Sequence, residues 1–239
     1  MSTVDILCIT AHPDDVELCM GGTVLRHVAQ GRSVGIVDLT IGELGTRGSG
    51  PLRQQEAEVA RKILGALFRY QLDLADGFFR SDRESLLKVV RAIRKHRPTT
   101  VLTNALKDRH PDHGRGGALV AEACFLSGLR RVETTDESGQ QEAWRPVTVL
   151  HGIQDWWVEP TLVVDVSAQW AMRMEAVLAF KSQFFDPLSN EPESSISGKN
   201  FTAFIEGRAL QFGRLIGVQY GEGFVASRPI GISDVTDLR

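Results

Sequence analysis

The stretch VDILCITAHPDDVE, residues 4–17, joins an apolar run to a polar loop. Its first half has the length and the β-branched content of a buried strand. Its second half offers His12 and Asp15, a ligand pair that zinc prefers, and leaves Asp14 as a free carboxylate. Pro13 keeps His12 extended, so that these side chains leave the strand in a defined direction. An alternative is a polar turn that caps a helix, because Asp is a common N-cap residue.

Strand-like and helix-like segments alternate along the rest of the chain. Strands joined by helical crossovers form a largely parallel sheet. The sequence therefore predicts an α/β, Rossmann-like fold with a mainly parallel sheet, helices on both faces and a single domain over residues 1–239. We expect strands at residues 4–10, 33–40, 70–74, 99–103, 147–153 and 161–166, and helices at residues 21–31, 51–65, 81–98, 114–128, 169–182 (capped by Ser167) and 201–216.

The amino-acid composition of the chain limits the classes of partner that it is expected to bind. The 239 residues carry a net charge of −3, and the 24% of charged residues include both signs, interspersed. Neither a nucleic-acid footprint nor an anionic-membrane surface is indicated. The first residues lack a positively charged leader region, and no apolar run approaches the length of about 18 residues that spans a bilayer. We expect a cytoplasmic protein whose partner is a small molecule.

Three segments are predicted to be loops. Residues 41–50 contain four glycines and suit an active-site loop. Residues 130–141 are dense in charge and predict an exposed, mobile excursion, and residues 186–198 predict a surface loop. The three cysteines lie in apolar contexts without metal-ligand spacing, so we expect reduced core residues: Cys8, Cys19 and Cys124.

A second polar cluster, residues 107–114, follows the predicted fourth strand. It holds two histidines and two aspartates within six residues. Both clusters follow strands of one parallel sheet, so they converge although about a hundred residues separate them. We predict His12, Asp15 and His113 as ligands of zinc, or of another divalent ion such as Fe²⁺. This set leaves one tetrahedral position open, which is the catalytic arrangement. The alternative is a pair of hydrogen-bonded loops without metal.

The motifs AHPDDVE at 11–17 and RHPDHG at 109–114 resemble the LmbE/PIG-L family of zinc-dependent N-deacetylases, which act on N-acetylglucosamine-type sugars. The resemblance covers nearly the whole chain and is greatest to the bacillithiol-biosynthesis branch of the family. It implies a Rossmann-like fold, zinc on the three ligands just named, Asp14 as general base, and hydrolysis of the N-acetyl group of GlcNAc-malate. The further matching positions are Asp38-Leu39-Thr40, Arg53 with Glu56, Lys107-Asp108-Arg109, Ser182-Gln183-Phe184 and Gly221-Glu222-Gly223-Phe224.

The residues of the two loops also suit amide hydrolysis in their own right. The reaction needs an activated water, a stabilised oxyanion and a protonated leaving amine. Asp14 lies beside a metal-held neighbour and is the free carboxylate that takes the water proton. We predict that His110 stabilises the oxyanion or protonates the amine, and that Asp112 supports catalysis by orienting a histidine. A structural role is the alternative for both.

Three residues are predicted to bind the substrate. Arg53 lies in the first turns of a helix, where a cation opposes the helix dipole, so it is a candidate for binding sugar hydroxyls or a carboxylate. Asp76 matches a sugar-hydroxyl position of the family, although its neighbours depart from the family's Pro-Asp pattern. Arg109 flanks the metal loop and is the predicted partner of the malate carboxylates, with Arg47 and Arg115 as alternatives.

Two other functions compete with this prediction. One is deacetylation of another GlcNAc conjugate, of the mycothiol-precursor or chitooligosaccharide type. The other is non-catalytic binding of a sugar or nucleotide, against which the absence of a GxGxxG motif and of a P-loop argues. We expect a homo-oligomer, with a hexamer as one option. Trp156 and Trp157 are predicted to lie at a rim or subunit interface, or to pack in the core.

Overall fold

Alternate residues of the first strand face two different layers of helices. In the computed structural model, which describes residues 3–184 and 188–237, strand β1 (Ile6–Thr10) is buried throughout. Leu7 belongs to one hydrophobic cluster and Cys8 to another on the opposite face of the sheet. A strand that is buried on both faces requires helices on both faces, which is the α/β arrangement.

Among the described residues, seven strands form one sheet in the order β3-β2-β1-β4-β7-β9-β8. Strands β1 to β4 and β7 pair in parallel, whereas β9 is antiparallel to both of its neighbours. The predicted α/β fold with a mainly parallel sheet is confirmed. The remaining strands are β2 (Val34–Asp38), β3 (Phe68–Gln71), β4 (Thr100–Asn104), β5 (Thr135–Asp136), β6 (Gly139–Gln140), β7 (Thr148–Gly152), β8 (Leu162–Asp165) and β9 (Gly221–Ala226), and the α-helices are α1 (Asp15–Ala29), α2 (Gly50–Leu64), α3 (Arg83–His96), α4 (Pro111–Ser127), α5 (Trp170–Leu178) and α6 (Phe201–Leu215).

The helices cover the sheet in two layers. Helices α3 and α4 contribute Ile93 and Leu119 to one hydrophobic cluster, and α1, α2 and α5 contribute Val24, Leu64 and Ala176 to the other. The cysteines are buried thiols, as predicted. No described helix is both long enough and apolar enough to cross a membrane.

Several boundaries differ from the prediction for local reasons. Helix α1 begins at Asp15 and not at residue 21, because the backbone N–H groups of Asp14 and Asp15 already bond to the carbonyl of His12. Helix α4 begins at Pro111, where a proline suits the first turn. Ser167 does not cap α5. It opens a short 3₁₀ helix, and its hydroxyl donates to Asp165 at 2.8 Å.

Two segments for which no strand was predicted contain strands. Strand β9 was not predicted, because its sequence GEGFVA carries two glycines and a glutamate in place of an apolar run. The excursion at residues 130–141 includes the hairpin of β5 and β6. The surface loop at 186–198 begins with two residues that lie outside the described ranges, and residues 188–198 contain neither a helix nor a strand.

A buried ion cluster fixes the start of α1 to β2 and β3. Arg69 pairs with both oxygens of Asp38 at 2.8 and 2.9 Å, and its Nη1 donates to Glu17 at 2.7 Å. These three side chains are at most 2% exposed. The cluster therefore anchors the first turn of α1 to the sheet, and this turn lies next to the loop that carries His12.

Replacing Arg69 with Met is expected to destabilise the fold by about 3–5 kcal/mol, because two buried carboxylates lose their cation. The measurement is urea unfolding followed by circular dichroism. The control is Lys62→Met on α2, since Lys62 is 68% exposed and its pairing with Glu58 is a surface ion pair; it should change the unfolding free energy by less than about 0.5 kcal/mol. Equal effects of the two substitutions would contradict the structural role of the cluster.

Candidate metal centre

Loops that follow the carboxyl ends of five neighbouring strands enclose a cavity of about 230 Å³. The cavity lies beside β1 and β4, from which the strand order runs in opposite directions, and ligands bind at such switch points in α/β sheets. Eight of the nine predicted site residues line it: His12, Asp14, Asp15, Arg53, Asp76, Arg109, His110 and His113. The ninth, Asp112, is fully buried behind His12.

His12 and His113 both contact Asp15 in the wall of this cavity. Nε2 of His113 lies 3.1 Å from Oδ1 of Asp15, and Nδ1 of His12 lies 3.5 Å from Oδ2 of Asp15. Ligand atoms held about 2.0–2.1 Å from a tetrahedral zinc are roughly 3.4 Å apart. Each of the two distances is therefore close to the separation of two ligands of one zinc ion.

Both histidines have a carboxylate on the ring nitrogen that faces away from Asp15. Nδ1 of His113 lies 2.6 Å from Oδ2 of Asp108, and Nε2 of His12 lies 3.1 Å from Oδ1 of Asp76 and 3.4 Å from Oδ2 of Asp112. Such partners fix the tautomer of a metal-binding imidazole and increase its basicity.

The same carboxylates control the charge of the imidazoles. Burial lowers the pKa of His113, but the charge of Asp15 and the hydrogen bonds with Asp108 and Asp15 outweigh it and raise this pKa to about 9. For His12 burial is again opposed by hydrogen bonds, with Asp112, Asp15 and Asp76, and the net result is a raised pKa. The surrounding carboxylates therefore favour positive charge on these two imidazoles.

Asp15 is held on both of its oxygens. Its Oδ2 accepts from the backbone N–H of His12 at 2.9 Å and from the side chain of Asn104 at 3.0 Å, and its Oδ1 accepts from the side chain of Gln154 at 3.0 Å. These donors come from the ends of β1, β4 and β7. The sheet itself therefore orients this carboxylate.

Asp14 does not serve as a helix cap. It occupies the N-cap position of α1, yet its side chain makes no capping hydrogen bond. Instead, its Oδ1 lies 3.2 Å from Nη2 of Arg53, and both side chains are buried. Burial raises the pKa of Asp14, although the charge of Arg53 opposes that rise. The alternative interpretation of this loop, a polar turn that caps a helix, is therefore wrong for the carboxylate of Asp14.

His110 caps α4 and adopts a defined tautomer. Its Nδ1 accepts from the backbone N–H of Asp112 at 3.2 Å, so in the neutral ring the proton is assigned to Nε2. Burial and the nearby His12 and His113 lower the pKa of His110, which favours this neutral form. The side chain therefore offers a hydrogen-bond donor at the cavity.

Two sets of described side chains have ligand-type atoms that all lie within 4.8 Å of one another, and both differ from the predicted set: His12 with His110 and His113, and His12 with Asp76 and Asp112. The second set is committed to hydrogen bonds. Asp76 also accepts from the backbone N–H of Leu44 at 3.0 Å, and Asp112 from that of Gly77 at 2.7 Å. Its two carboxylates therefore support His12 in its present position.

Comparison with known proteins supports the deacetylase chemistry that the sequence predicts. Residues 7–124 match the family described as PIG-L, GlcNAc-PI de-N-acetylase. The diacetylchitobiose deacetylase of Thermococcus kodakarensis is 31% identical over 232 residues, which are 91% of this chain and 81% of that protein. The structure of the conserved protein TT1542 from Thermus thermophilus is 33% identical, with a TM-score of 0.86 over 98% of this chain and 99% of that one. The chain belongs to the PIG-L family.

A further relative matches a shorter part of the chain. The probable N-acetyl-alpha-D-glucosaminyl L-malate deacetylase 2 of Bacillus anthracis is 28% identical over 134 residues, which are 49% of this chain and 58% of that protein. PIG-L membership makes the chain an amidohydrolase, and the His/Asp cluster is consistent with a metal-dependent member of the family.

The two predicted substrate-binding arginines already have carboxylate partners. Arg53 contacts Asp14 and also donates to the carbonyl of Gly42 at 3.2 Å. Arg109 stands at the rim and pairs through Nε with Asp155. Asp76, the third predicted contact, bonds to His12 while also lining the cavity.

Two further arginines were named as alternatives to Arg109 for binding malate, and both donate to backbone carbonyls. Arg47 donates to Phe184, and Arg115 donates to Gly77 and Phe79. Neither side chain lines the cavity. Arg109 is therefore the one that the structure brings to the rim.

Sequence reasoning missed the residues that orient the metal cluster. Asn104 is the last residue of β4 and Gln154 follows β7, and the available signal was a polar side chain at the end of a strand. Asp108 was noted as one of the two aspartates of the second polar cluster and in a family match, but its contact with His113, five residues further along the same loop, was not predicted. Residues 194–196 of the predicted surface loop also line the cavity.

Proposed function

We propose that this protein hydrolyses the N-acetyl group of an N-acetylglucosamine conjugate, with zinc held by His12, Asp15 and His113. The observation that carries the proposal is the convergence of these three side chains beside Asp14, which is buried, close to a cation and not used as a cap. A non-catalytic binding module has no use for such a carboxylate.

The donor set fits zinc on the geometry of the side chains. Each histidine keeps one ring nitrogen toward Asp15 and gives the other to a carboxylate, as metal-binding histidines usually do. His110 is excluded from the proposed ligands because its Nδ1 accepts a backbone N–H and its Nε2 carries the proton. Zinc at this site would polarise the acetyl carbonyl and lower the pKa of the attacking water.

The chain's own residues then carry the proton transfers. Asp14 accepts the proton of the attacking water, and its burial supports this role because it raises the pKa of the carboxyl and so makes it a stronger base. Arg53, 3.2 Å away, holds the carboxylate in position. The protonated Asp14 can then deliver the proton to the leaving amine.

His110 is proposed to stabilise the oxyanion. Its Nε2–H is a neutral donor at the edge of the cavity, and one well-placed donor of this kind contributes about 2.7–4 kcal/mol to the transition state. Asp112 acts through His12, from which it lies 3.4 Å away, and does not reach the cavity. It is a positioning residue in this proposal.

For the substrate we favour a neutral chitooligosaccharide-type GlcNAc conjugate. Arg53 and Arg109 are the two arginines among the described residues that line the cavity, and each is paired with an aspartate. The related Thermococcus enzyme acts on diacetylchitobiose, as its name states. GlcNAc-malate, the substrate expected from the bacillithiol-type resemblance, is the second candidate, and the position of Arg109 at the rim favours it.

The test is an assay of the zinc-loaded protein for release of free amine from diacetylchitobiose, GlcNAc-malate, GlcNAc-inositol and free GlcNAc. The proposal expects kcat/KM for diacetylchitobiose to exceed that for GlcNAc-malate by about tenfold or more, which corresponds to about 1.4 kcal/mol. A preference for GlcNAc-malate would establish the second candidate. Absence of release from all four would refute the deacetylase proposal.

Asp155→Asn is expected to shift selectivity toward GlcNAc-malate by about tenfold, because it releases Arg109 to make one charge-assisted hydrogen bond with a carboxylate. The measurement is the ratio of kcat/KM for the two substrates. In the double variant with Arg109→Ala the shift should disappear. A shift that persists there would show that Arg109 is not the selective group.

A further inference from the structure

A second, narrow cavity of about 30 Å³ adjoins the proposed active site. The two cavities share four wall residues: Leu18, Arg109, Gln154 and Ile196. The second cavity extends from them between α1, α6 and β9. A small molecule released in the active site would therefore lie next to it.

Arg173 in the wall of this cavity has an unused hydrogen-bond donor. The residue is 3% exposed, and its Nε lies 3.2 Å from the carbonyl of Glu17 and 3.0 Å from Oε1 of Glu222. Its Nη2 donates to the carbonyl of Leu18 at 2.6 Å. Nη1 has no hydrogen-bond partner among the described residues. Leaving a buried donor of a charged group unpaired is costly, so this atom points to a ligand.

Glu222 does not satisfy that donor, although it lies in the same wall. Its Oε1 accepts from the N–H of Gly22 at 2.8 Å, and its Oε2 accepts from the N–H of Thr23 at 2.7 Å. Both oxygens are thus engaged within α1.

The charges around the cavity favour an anion. Its charged wall residues are three arginines and two acids, so one positive charge is in excess: Arg109, Arg173, Arg208, Asp155 and Glu222. Arg208 directs its guanidinium to the backbone carbonyls of Gln154 and Asp155, at 3.2 and 2.6 Å. Arg208 therefore adds its positive charge, and no carboxylate in the described part of the chain pairs with it.

The size of the cavity and its remaining wall residues further limit the kinds of ligand that it can bind. A water needs roughly 10–15 Å³ measured in this way, so the cavity takes two or three water-sized groups and excludes a sugar ring. Ile153, Phe201 and Phe212 line it with apolar surface, which suits a methyl group. The shape and chemistry match a carboxylate that carries one methyl.

We propose that the second cavity binds a small monocarboxylate anion, namely the acetate released in the reaction, through Nη1 of Arg173. The identity of the anion rests on the proposed deacetylase function, whereas the site itself rests on Arg173, the excess positive charge and the volume. Acetate that moves there clears the metal centre for the next substrate.

A crystal structure of the zinc-loaded protein soaked in sodium acetate tests the site directly. The expected result is a carboxylate within hydrogen-bond distance of Nη1 of Arg173. Acetate found at the metal centre alone, or only water in the second cavity, would overturn the proposal. The assay on diacetylchitobiose is run on the same preparation. Turnover without acetate in the cavity refutes this inference alone, whereas acetate in the cavity of a protein without turnover refutes the proposed function alone.

Variants provide a second measure. Arg173→Lys keeps the charge but removes Nη1, and Ala209→Leu adds volume from α6 to the cavity wall. Each is expected to weaken the binding of ¹³C-labelled acetate to the second cavity by about tenfold in NMR titrations, the loss of about one charge-assisted hydrogen bond or of the space for the methyl. Arg145→Lys on the surface is the control and should leave the titration unchanged. Unaltered binding in Ala209→Leu would contradict the proposal even if Arg173→Lys fails to fold.

Discussion

Asp14→Asn is expected to retain bound zinc and to lower kcat by about a hundredfold or more. The amide keeps the size and shape of the carboxylate but cannot accept the proton of the attacking water at neutral pH. Asp14 makes no capping hydrogen bond to α1, so the substitution should leave the helix start unchanged. The measurements are steady-state kinetics on the preferred substrate and zinc content by elemental analysis.

Glu58→Gln on α2 is the matched control, because it makes the same carboxylate-to-amide change at a residue that pairs only with surface cations. It should leave kcat unchanged. Near-normal turnover in Asp14→Asn would remove Asp14 as general base. Loss of zinc together with activity would instead make Asp14 part of the metal site, in contradiction to the ligand set proposed above.

The location of the site could be predicted from sequence because it depends on a simple topological rule. Residues that follow β1 and β4 are about a hundred positions apart, but parallel neighbours end at the same edge of the sheet. His12, Asp15 and His113 were found in this way, and the structure brings them together. The same rule did not rank the polar residues within a loop, so Asp108 and Asp112 could not be told apart as partners of the histidines.

The ion pairs that two arginines of the cavity form with aspartates could not be predicted from the sequence. Arg53 and Arg109 were both predicted to bind substrate because a guanidinium suits sugar hydroxyls and carboxylates. In the structure Asp14 lies against the first and Asp155 against the second. Such ion pairs depend on the three-dimensional course of unrelated loops, which no local pattern records. The predicted malate specificity depended on those two cations and therefore remains a prediction.

The fold itself was predictable where strands were apolar on both faces and missed where they were not. Strands β1 and β2 are continuous buried runs. Strand β9 differs, because Gly223 leaves room for the ring of Phe212 and Glu222 turns to bond with α1. A strand whose residues serve packing and hydrogen bonding in this way loses the hydrophobic pattern by which strands are recognised.

His113→Ala is expected to reduce bound zinc from about one ion per chain to below about a tenth of that, because three protein ligands are needed for a stable site. Asp108→Asn should cause a smaller loss, of about 10–100-fold in affinity, since it removes only the partner of the imidazole. Elemental analysis after dialysis against a chelator measures the zinc content of His113→Ala. Competition with a zinc indicator measures the zinc affinity of Asp108→Asn. Far-UV circular dichroism is expected to stay near that of the unmodified protein, because the site lies at the loop edge of the sheet.

His110→Ala distinguishes the proposed ligand set from the other set that contains His113. One ring nitrogen of His110 lies within 4.8 Å of a ring nitrogen of each of the other two imidazoles, which is close enough for a three-histidine site. Our assignment of its proton to Nε2 excludes this site, so His110→Ala should keep zinc and lower kcat by about 10²–10³-fold. If His110→Ala lost zinc as His113→Ala does, while Asp15→Asn kept it, the metal would be held by three neutral imidazoles. Asp15 would then share with Asp14 the role of a free carboxylate, and the assignment of the general base would have to be made again between them.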